Sequence, residues 1–502
     1  MKTRLLQYIL PALVAISAVA CYNVEDAKLT ELKPIELSVV SDTINVELGQ
    51  KFVYEGLKVK DNANLSYSWV YGKIPSGKTA SDHVFDFESK IFISDSPSIE
   101  YTFTKIGTFL LRLRLDNGES VVYKYFTLNV NAGYDEGIMI LNNKEDGNSD
   151  LTFIKTLTSE EKSKGVKEVY TNIFSSDDKK LKNGTDMYLS SYKVLGVDYA
   201  GLLIATADED GSLYHLQPKT MEMYAVSKFK EFNTSVKEFG GEYASPGGGF
   251  ASYLKTEDGR IFRYDMQLGY LQEMEEFAPF GPMLRCVCLL NRKDPKSATT
   301  RGSIMFTENK ICARPSAGVG VRTHENPGYN VVNMFCKRTG VSSAAAYAIF
   351  RNKQDKTLYM IENTSAAGST IGHSWKKVVE FNSESLKMDS NSIFVGTMSS
   401  SDVYYTFDNA IYRWGLSGAP ASSPAIKLPD GEIIRDIATN YMGKNVKEGS
   451  EDLLYVATYN PSRSGEKKGS LYIYRFSDNA LVSSYEGLCY DPVSVLYKFR
   501  IN

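Results

Sequence analysis

Seven times along this chain an apolar run leads through a turn into a second run that alternates aliphatic and aromatic residues. Ile138-Met139-Ile140-Leu141 passes Asp146-Gly147 to Leu151-Thr152-Phe153, and Leu202-Leu203-Ile204-Ala205 passes Asp210-Gly211 to Leu213-Tyr214. Phe250 to Leu254 leads through Asp258-Gly259 to Ile261-Phe262-Arg263-Tyr264, and Ile304-Met305-Phe306 through Asn309-Lys310 to Ile311-Cys312. Tyr347 to Phe350 leads through Asp355-Lys356 to Leu358-Tyr359. Ile393-Phe394-Val395 reaches Ile411-Tyr412-Arg413-Trp414 by way of Val403 to Phe407 and Asp408-Asn409. Leu453 to Ala457 leads through Gly469 to Leu471-Tyr472-Ile473-Tyr474. The units recur irregularly, every 43 to 64 residues or about that. An isolated hairpin cannot bury both apolar faces, so such copies must stack on one another.

Units of this size match the four-stranded blades of a β-propeller, and residues 135–502 are expected to form one with seven blades. Stacked blades bury both faces of their inner strands, which explains runs without polar alternation. Leu471 and Ile473 should then face one neighbouring blade, Tyr472 and Tyr474 the other. Neither a Gly-His…Trp-Asp pair nor a kelch double glycine is present, so the propeller class stays open. A large two-sheet sandwich is the alternative. The fold class is all-β, in keeping with 12% aromatic residues.

Ahead of the repeats, residues 35–131 read as a separate β-sandwich. Strand-like runs cover Thr43 to Glu47, Leu65 to Tyr71, Glu100 to Thr104 and Thr108 to Leu115. In the last of these Phe109, Leu111, Leu113 and Leu115 alternate with Leu110, Arg112 and Arg114. Asp116-Asn117-Gly118 turns the chain into Val121 to Val130. Trp69 should sit on a central strand and face the opposite sheet. The Tyr67-Ser68-Trp69 strand and Gly107-Thr108-Phe109-Leu110-Leu111 resemble the PKD-like domains, an immunoglobulin-like family. That resemblance implies a spacer and interaction module.

The first twenty residues have the form of a signal peptide: Lys2 and Arg4, an apolar stretch from Leu5 to Ala20, and the small residues Ala18-Val19-Ala20 before Cys21. Gln7 and Pro11 interrupt the stretch, and a transmembrane span needs about 20 apolar residues. A cysteine in this place resembles the lipobox of bacterial lipoproteins, which implies lipid on Cys21 and residues 21–34 as a tether. An ordinary secretory signal followed by a chance cysteine is the alternative. Tyr22 stands at the second mature position, where an aspartate would favour inner-membrane retention, and the acidic pair Glu25-Asp26 resembles the export signal of surface lipoproteins of the Bacteroidota.

Tyr134-Asp135-Glu136-Gly137 with Asp146-Gly147 resembles the start of the propeller in surface lipoproteins that pair a PKD-like domain with seven blades. Such lipoproteins are encoded beside SusC/SusD-type nutrient importers. The resemblance implies an outer-membrane, outward-facing, non-catalytic protein that holds a glycan or peptide or docks on an importer complex. Two other readings stay open: a lipid-anchored propeller glycan hydrolase or lyase, and a structural subunit of a surface lipoprotein assembly.

The residues offer few signs of chemistry. A net charge of −3 gives no basic excess for nucleic acid. Among four histidines none forms HExxH, and serine-hydrolase elbows and phosphate loops are missing, so no catalytic residue, metal or cofactor is expected. Asp208-x-Asp210-Gly211 is a calcium-loop fragment without its distal glutamate and reads as a turn. Ser245-Pro246-Gly247-Gly248-Gly249 precedes a strand and not a helix, and reads as a loop. Cys286, Cys288, Cys312, Cys336 and Cys489 read as buried thiols. A glycosidase carboxylate pair is defined by space, which leaves it open.

Binding residues are sought where aromatics meet hydrogen-bonding groups in loops at a channel mouth. Gly372-His373-Ser374-Trp375-Lys376 is one such loop, Arg322 and His324 after Gly318-Val319-Gly320 a second, and Tyr243 a third place. The ligand-binding candidates are therefore Tyr243, Arg322, His324, His373 and Trp375. Framework packing is the competing role for each, since strand-rich folds carry many aromatics.

Overall fold

Every repeated unit contributes a hairpin to an antiparallel sheet, four-stranded in six cases and five-stranded in the first. A computed structural model describes residues 33–499 apart from 49–50, 61–63, 76–77, 79–81, 83–89, 132, 164–165, 175–179, 195–196, 245–249, 289–302, 315–319, 339–343, 364–374, 383–386, 398–399 and 441–451. The chain divides into two compact units, Met1–Asn131 and Ala132–Asn502. Helix is confined to short segments such as Ser159–Ser163 and Glu275–Phe280.

Among the described residues the second unit holds seven sheets. Six are meanders in chain order, spanning residues 184–228, 236–273, 285–325, 329–381, 394–427 and 433–489. The remaining sheet, first in sequence, joins Gly137–Asn143 and Asn148–Lys155 to the last strand of the chain, Asp491–Lys498, with Gly137 opposite Lys498. The leading strands of consecutive sheets pack side by side, and Asp491–Lys498 packs between Ile433–Thr439 and Gly184–Val194. The ring is therefore closed by a strand from the far end of the sequence, which removes an open edge. This arrangement is a β-propeller.

The core lies between the sheets. Leu254, Phe262 and Tyr264 of the third sheet pack with Leu203 and Leu213 of the second, whereas Tyr253 and Ile261 pack with Met305 and Cys312 of the fourth. Leu471 and Ile473 join the first sheet's cluster, while Tyr472 and Tyr474 join Tyr404 and Ile411 of the sixth, as the alternation requires. Burying such a side chain stabilises by roughly 1.5–3 kcal/mol, so middle strands with two buried faces dominate the packing. The unit read from Ile393 begins one strand early. Phe394–Gly396 is the leading strand of the sixth sheet, and its middle hairpin is Val403–Phe407 with Ala410–Trp414.

The first unit is a sandwich. One sheet runs Thr43–Glu47, Val121–Asn131, Gly107–Asp116, Ser66–Lys73, Ile91–Ser94, its first pair parallel. Two short ladders, Leu37–Val39 with Leu57–Val59 and Lys51–Tyr54 with Ile99–Thr102, supply the other side of the core. Trp69 is fully buried on the Ser66–Lys73 strand, its indole N–H donating to the Ser96 carbonyl at 3.0 Å. Its ring meets Tyr54 of a facing ladder edge-on at 5.9 Å. Gly118 takes φ +84° in the expected turn, where a side chain would be strained.

Candidate functional site

The leading strands of the seven sheets enclose a channel cavity of about 310 Å³, to which every sheet contributes lining residues. Five of these strands share one irregularity: Asp491–Lys498 skips Val493 ahead of Ser494, and four others follow the same pattern. In those four, pairing with the second strand skips Thr185, Lys237, Val332 and Arg435, so each strand bulges by one residue. The residue after each of their bulges is polar: Asp186, Glu238, Asn333 and Asp436.

These side chains reach across to the next part of the ring. Asp186 accepts the Phe239 N–H at 2.9 Å and the Ser494 hydroxyl at 2.8 Å. Glu238 accepts the Cys286 N–H at 2.7 Å, and Asp436 accepts the Val495 N–H at 2.7 Å. Asn333 donates to the carbonyls of Asp389 and Ser392 at 2.6 and 2.9 Å. Asp186, Asn333 and Asp436 also accept the N–H of their own following residue, at 2.8, 2.6 and 2.8 Å. At Asp186, Glu238 and Asp436 the bulge aims the side chain so that an N–H of the neighbouring sheet is satisfied, whereas Asn333 serves two carbonyls. At Gly240 the leading strands of the third and fourth sheets come so close that a Cβ would stand 1.7 Å from the Cys286 sulfur, so only glycine fits.

Charge in the channel is likewise paired. Arg435 holds Asp491 through two bonds of 2.8 Å, and Arg285 donates to the Ser392 carbonyl at 3.1 Å. Burial raises the Asp491 pKa, and Arg435 only partly opposes this. Asp186 and Asp436 each have both oxygens occupied by donors of the framework. Catalysis by a carboxylate pair would require oxygens available to a glycosidic bond and to water.

The residues singled out in the sequence lie elsewhere. Arg322 and His324 are not in a loop: they belong to Arg322–Glu325, the outermost strand of the fourth sheet, away from the channel. Trp375 immediately precedes the outermost strand of the fifth sheet, Lys376–Phe381. The structure does bring His324 and Trp375 together, ring centroids 5.9 Å apart, with Phe350 at 6.0 Å from His324. Burial lowers the His324 pKa, favouring the neutral imidazole. The Trp375 indole N–H is buried and has no hydrogen-bond partner among the described residues. This cluster is packed between two sheet edges, because outer strands cover the flanks of neighbouring sheets. Tyr243 lies in the leading strand Val236–Ala244 opposite Ala251, with its side chain outside the described residues. His373, Cys21 and Ser245–Gly249 lie outside the described residues.

Asp208 and Asp210 form a turn: Asp208 accepts the N–H groups of Asp210 and Ser212 at 3.1 and 3.3 Å, and Asp210 pairs with Lys228. Cys286, Cys312 and Cys489 are buried and Cys336 is half-buried, none of them in a disulfide among the described residues. Among the described residues, no three His, Cys, Asp or Glu side chains gather as a metal-binding set. No described helix is long and apolar enough to cross a membrane. Sequence reasoning missed Asp186, Glu238, Asn333 and Asp436. Their signal was a polar residue followed at once by an apolar one ahead of the repeat's hairpin (Asp186-Met187, Glu238-Phe239, Asn333-Met334, Asp436-Ile437), which resembles any turn-flanking residue until the strands are in register.

No protein-family model matches the chain, and no curated protein does. Solved structures similar to it include a quinonprotein alcohol dehydrogenase-like protein from Bacteroides thetaiotaomicron, 14% identical over 93% of this chain and 100% of that one, with a TM-score of 0.47. A DUF4784 family protein from Bacteroides caccae is 9% identical over 93% and 99%, with a TM-score of 0.30. BamB from Moraxella catarrhalis is 11% identical over 69% and 82%, with a TM-score of 0.33.

Proposed function

We propose that this chain is a surface lipoprotein of the Bacteroidota outer membrane, anchored through lipid on Cys21 and facing the exterior. Its first unit is a PKD-like spacer and its second a seven-bladed propeller. The propeller holds a glycan or peptide ligand without transforming it, or docks on a SusC/SusD-type importer so that ligand is handed over.

The observation that carries the non-catalytic part is the engagement of the channel acids. Asp186, Glu238 and Asp436 accept N–H groups of the adjoining sheet. Such groups rigidify a ring and leave its loops and cavities to bind, which suits a preformed recognition scaffold. Anchoring and importer association rest on the lipobox-like segment and on the order of tether, sandwich and repeats.

The test is an affinity pull-down from gently solubilised outer membranes, with a tagged chain that keeps Cys21. Stoichiometric recovery of a SusC/SusD-type pair is the expected result. Recovery of the lipoprotein alone would overturn stable docking. Release of sugar or peptide fragments by the purified chain would favour the hydrolase or lyase reading instead.

A further inference from the structure

A second cavity, of about 440 Å³, opens beside the third and fourth sheets and shares Lys237, Glu238, Arg285 and Ile393 with the channel lining. Its remaining wall includes Lys255, Glu257, Asp258, Met283, Ser390 and Asn391. Such a volume accommodates a sugar- or amino-acid-sized group.

Nearly every charge on this wall is matched. Lys237 pairs with Glu257 at 3.0 Å and Arg260 with Asp258 at 2.8 Å. Glu238 faces Arg285 at 3.4 Å and accepts the Cys286 N–H through its other oxygen. Lys255 is the exception. It stands opposite Glu238 in the third sheet and is only 4% exposed, yet it makes no hydrogen bond or ion pair among the described residues. Glu238 and Glu257, which favour its charged form, and Lys237, which opposes it, line the same cavity as Lys255 itself, so its ammonium lies near the cavity's polar groups. Burial lowers its pKa more than Glu238 raises it. A lysine so nearly buried without an ion-pair partner among the described residues keeps its charge at a cost, and a ligand anion reaching it from the cavity would relieve that cost.

We propose that Lys255 holds the carboxylate of a small polar ligand in this cavity. One unmatched ammonium suits a single negative charge. A doubly charged phosphate would meet repulsion from Glu238 and Glu257. The inference rests on the ligand-holding reading above and narrows it to acids, with sugar acids and aliphatic acids sharing the required group.

The experiment uses the full lipidated chain in detergent and calorimetric titration of two matched pairs: D-glucuronate against D-glucuronamide, and glutarate against glutaramide. At least one acid should bind about tenfold or more tightly than its amide, the scale of a hydrogen bond to a charged group. Lys255→Met should abolish that preference, and Lys255→Arg should retain part of it. Which acid binds identifies the source of the carboxylate. Equal binding of acid and amide, no binding of either acid, or unchanged acid binding by Lys255→Met would each overturn the proposal. Should Lys255→Met fail to fold, the unaltered chain answers: the acid, and not its amide, should protect Lys255 from acetic anhydride, read by peptide mass spectrometry. Equal labelling with and without acid would overturn it. Importer recovery without acid binding removes only the Lys255 site, and acid binding without importer recovery removes only the docking.

Discussion

The Asp186 carboxylate, on the leading strand of the second sheet, accepts the backbone N–H of Phe239 on the third at 2.9 Å. The same carboxylate takes the Ser494 hydroxyl of the first sheet, so one side chain ties three sheets around the channel. Replacing it by alanine leaves the Phe239 and Met187 N–H groups without this acceptor. Each buried donor left unsatisfied costs about 1–3 kcal/mol. Asp186→Ala should therefore lower the propeller's melting temperature clearly, and Asp186→Asn less. Circular dichroism melting checks this, and an unchanged transition in Asp186→Ala would refute the tie.

Ring closure depends on Asp491–Lys498, whose Val495, Leu496 and Tyr497 are buried. A chain ending at Tyr490 should lose cooperative unfolding and aggregate, because Gly137–Asn143 becomes an open edge and the apolar cluster beneath is exposed. Size-exclusion chromatography with thermal melting would show it. A monomeric truncated chain with an unaltered transition would sink closure as the source of stability.

Trp69 fills the centre of the sandwich against Tyr54 and Phe126. Trp69→Ala should cost about 3–5 kcal/mol within that unit. The units have separate cores, so the transition of unit Ala132–Asn502 should stay where it was. Calorimetry resolving two transitions, with limited proteolysis of the first unit, is the check; a shift of both equally would speak against independent cores.

Alkaline pH should destabilise the fold. Burial, followed by the neighbouring Tyr101, pushes the Tyr71 pKa up to about 12. Burial and Glu168, to which its hydroxyl donates at 3.0 Å, push Tyr485 up to about 12. These folded values exceed the ordinary value of 10.0. The unfolded chain therefore releases these protons first, and the associated stability is complete below that value and lost as pH rises toward 12. Ultraviolet titration should find these phenols ionising late or together with unfolding. Ionisation of all tyrosines near the ordinary value in a folded chain would contradict their burial.

Legibility in the sequence followed burial. Residues 252–256 and Ile261–Asp265 bury both faces, so they read as runs with a turn between them. The outer strand Glu222–Lys228 alternates exposed and half-buried residues, as any surface strand or loop can, and gave no distinct sign. Arg322 and His324 were read as a loop because a polar edge strand lacks an apolar run. Only its register with Lys310–Arg314 identifies it as a strand.

The all-β character, the recurrence of stacked hairpins, the sandwich ahead of them and which residues of Leu471–Tyr474 face which neighbour were legible in the sequence. All of these depend on side-chain period and turn chemistry, which are local. Only the tertiary structure shows that Asp491–Lys498 completes the first sheet, that bulges aim Asp186, Glu238, Asn333 and Asp436 across the ring, and that Lys255 lies nearly buried at a cavity with no partner among the described residues. Those facts depend on pairings between residues far apart in the chain. A side chain's hydrogen-bond partner and its desolvation are set by what the closed ring brings beside it, which no local pattern records.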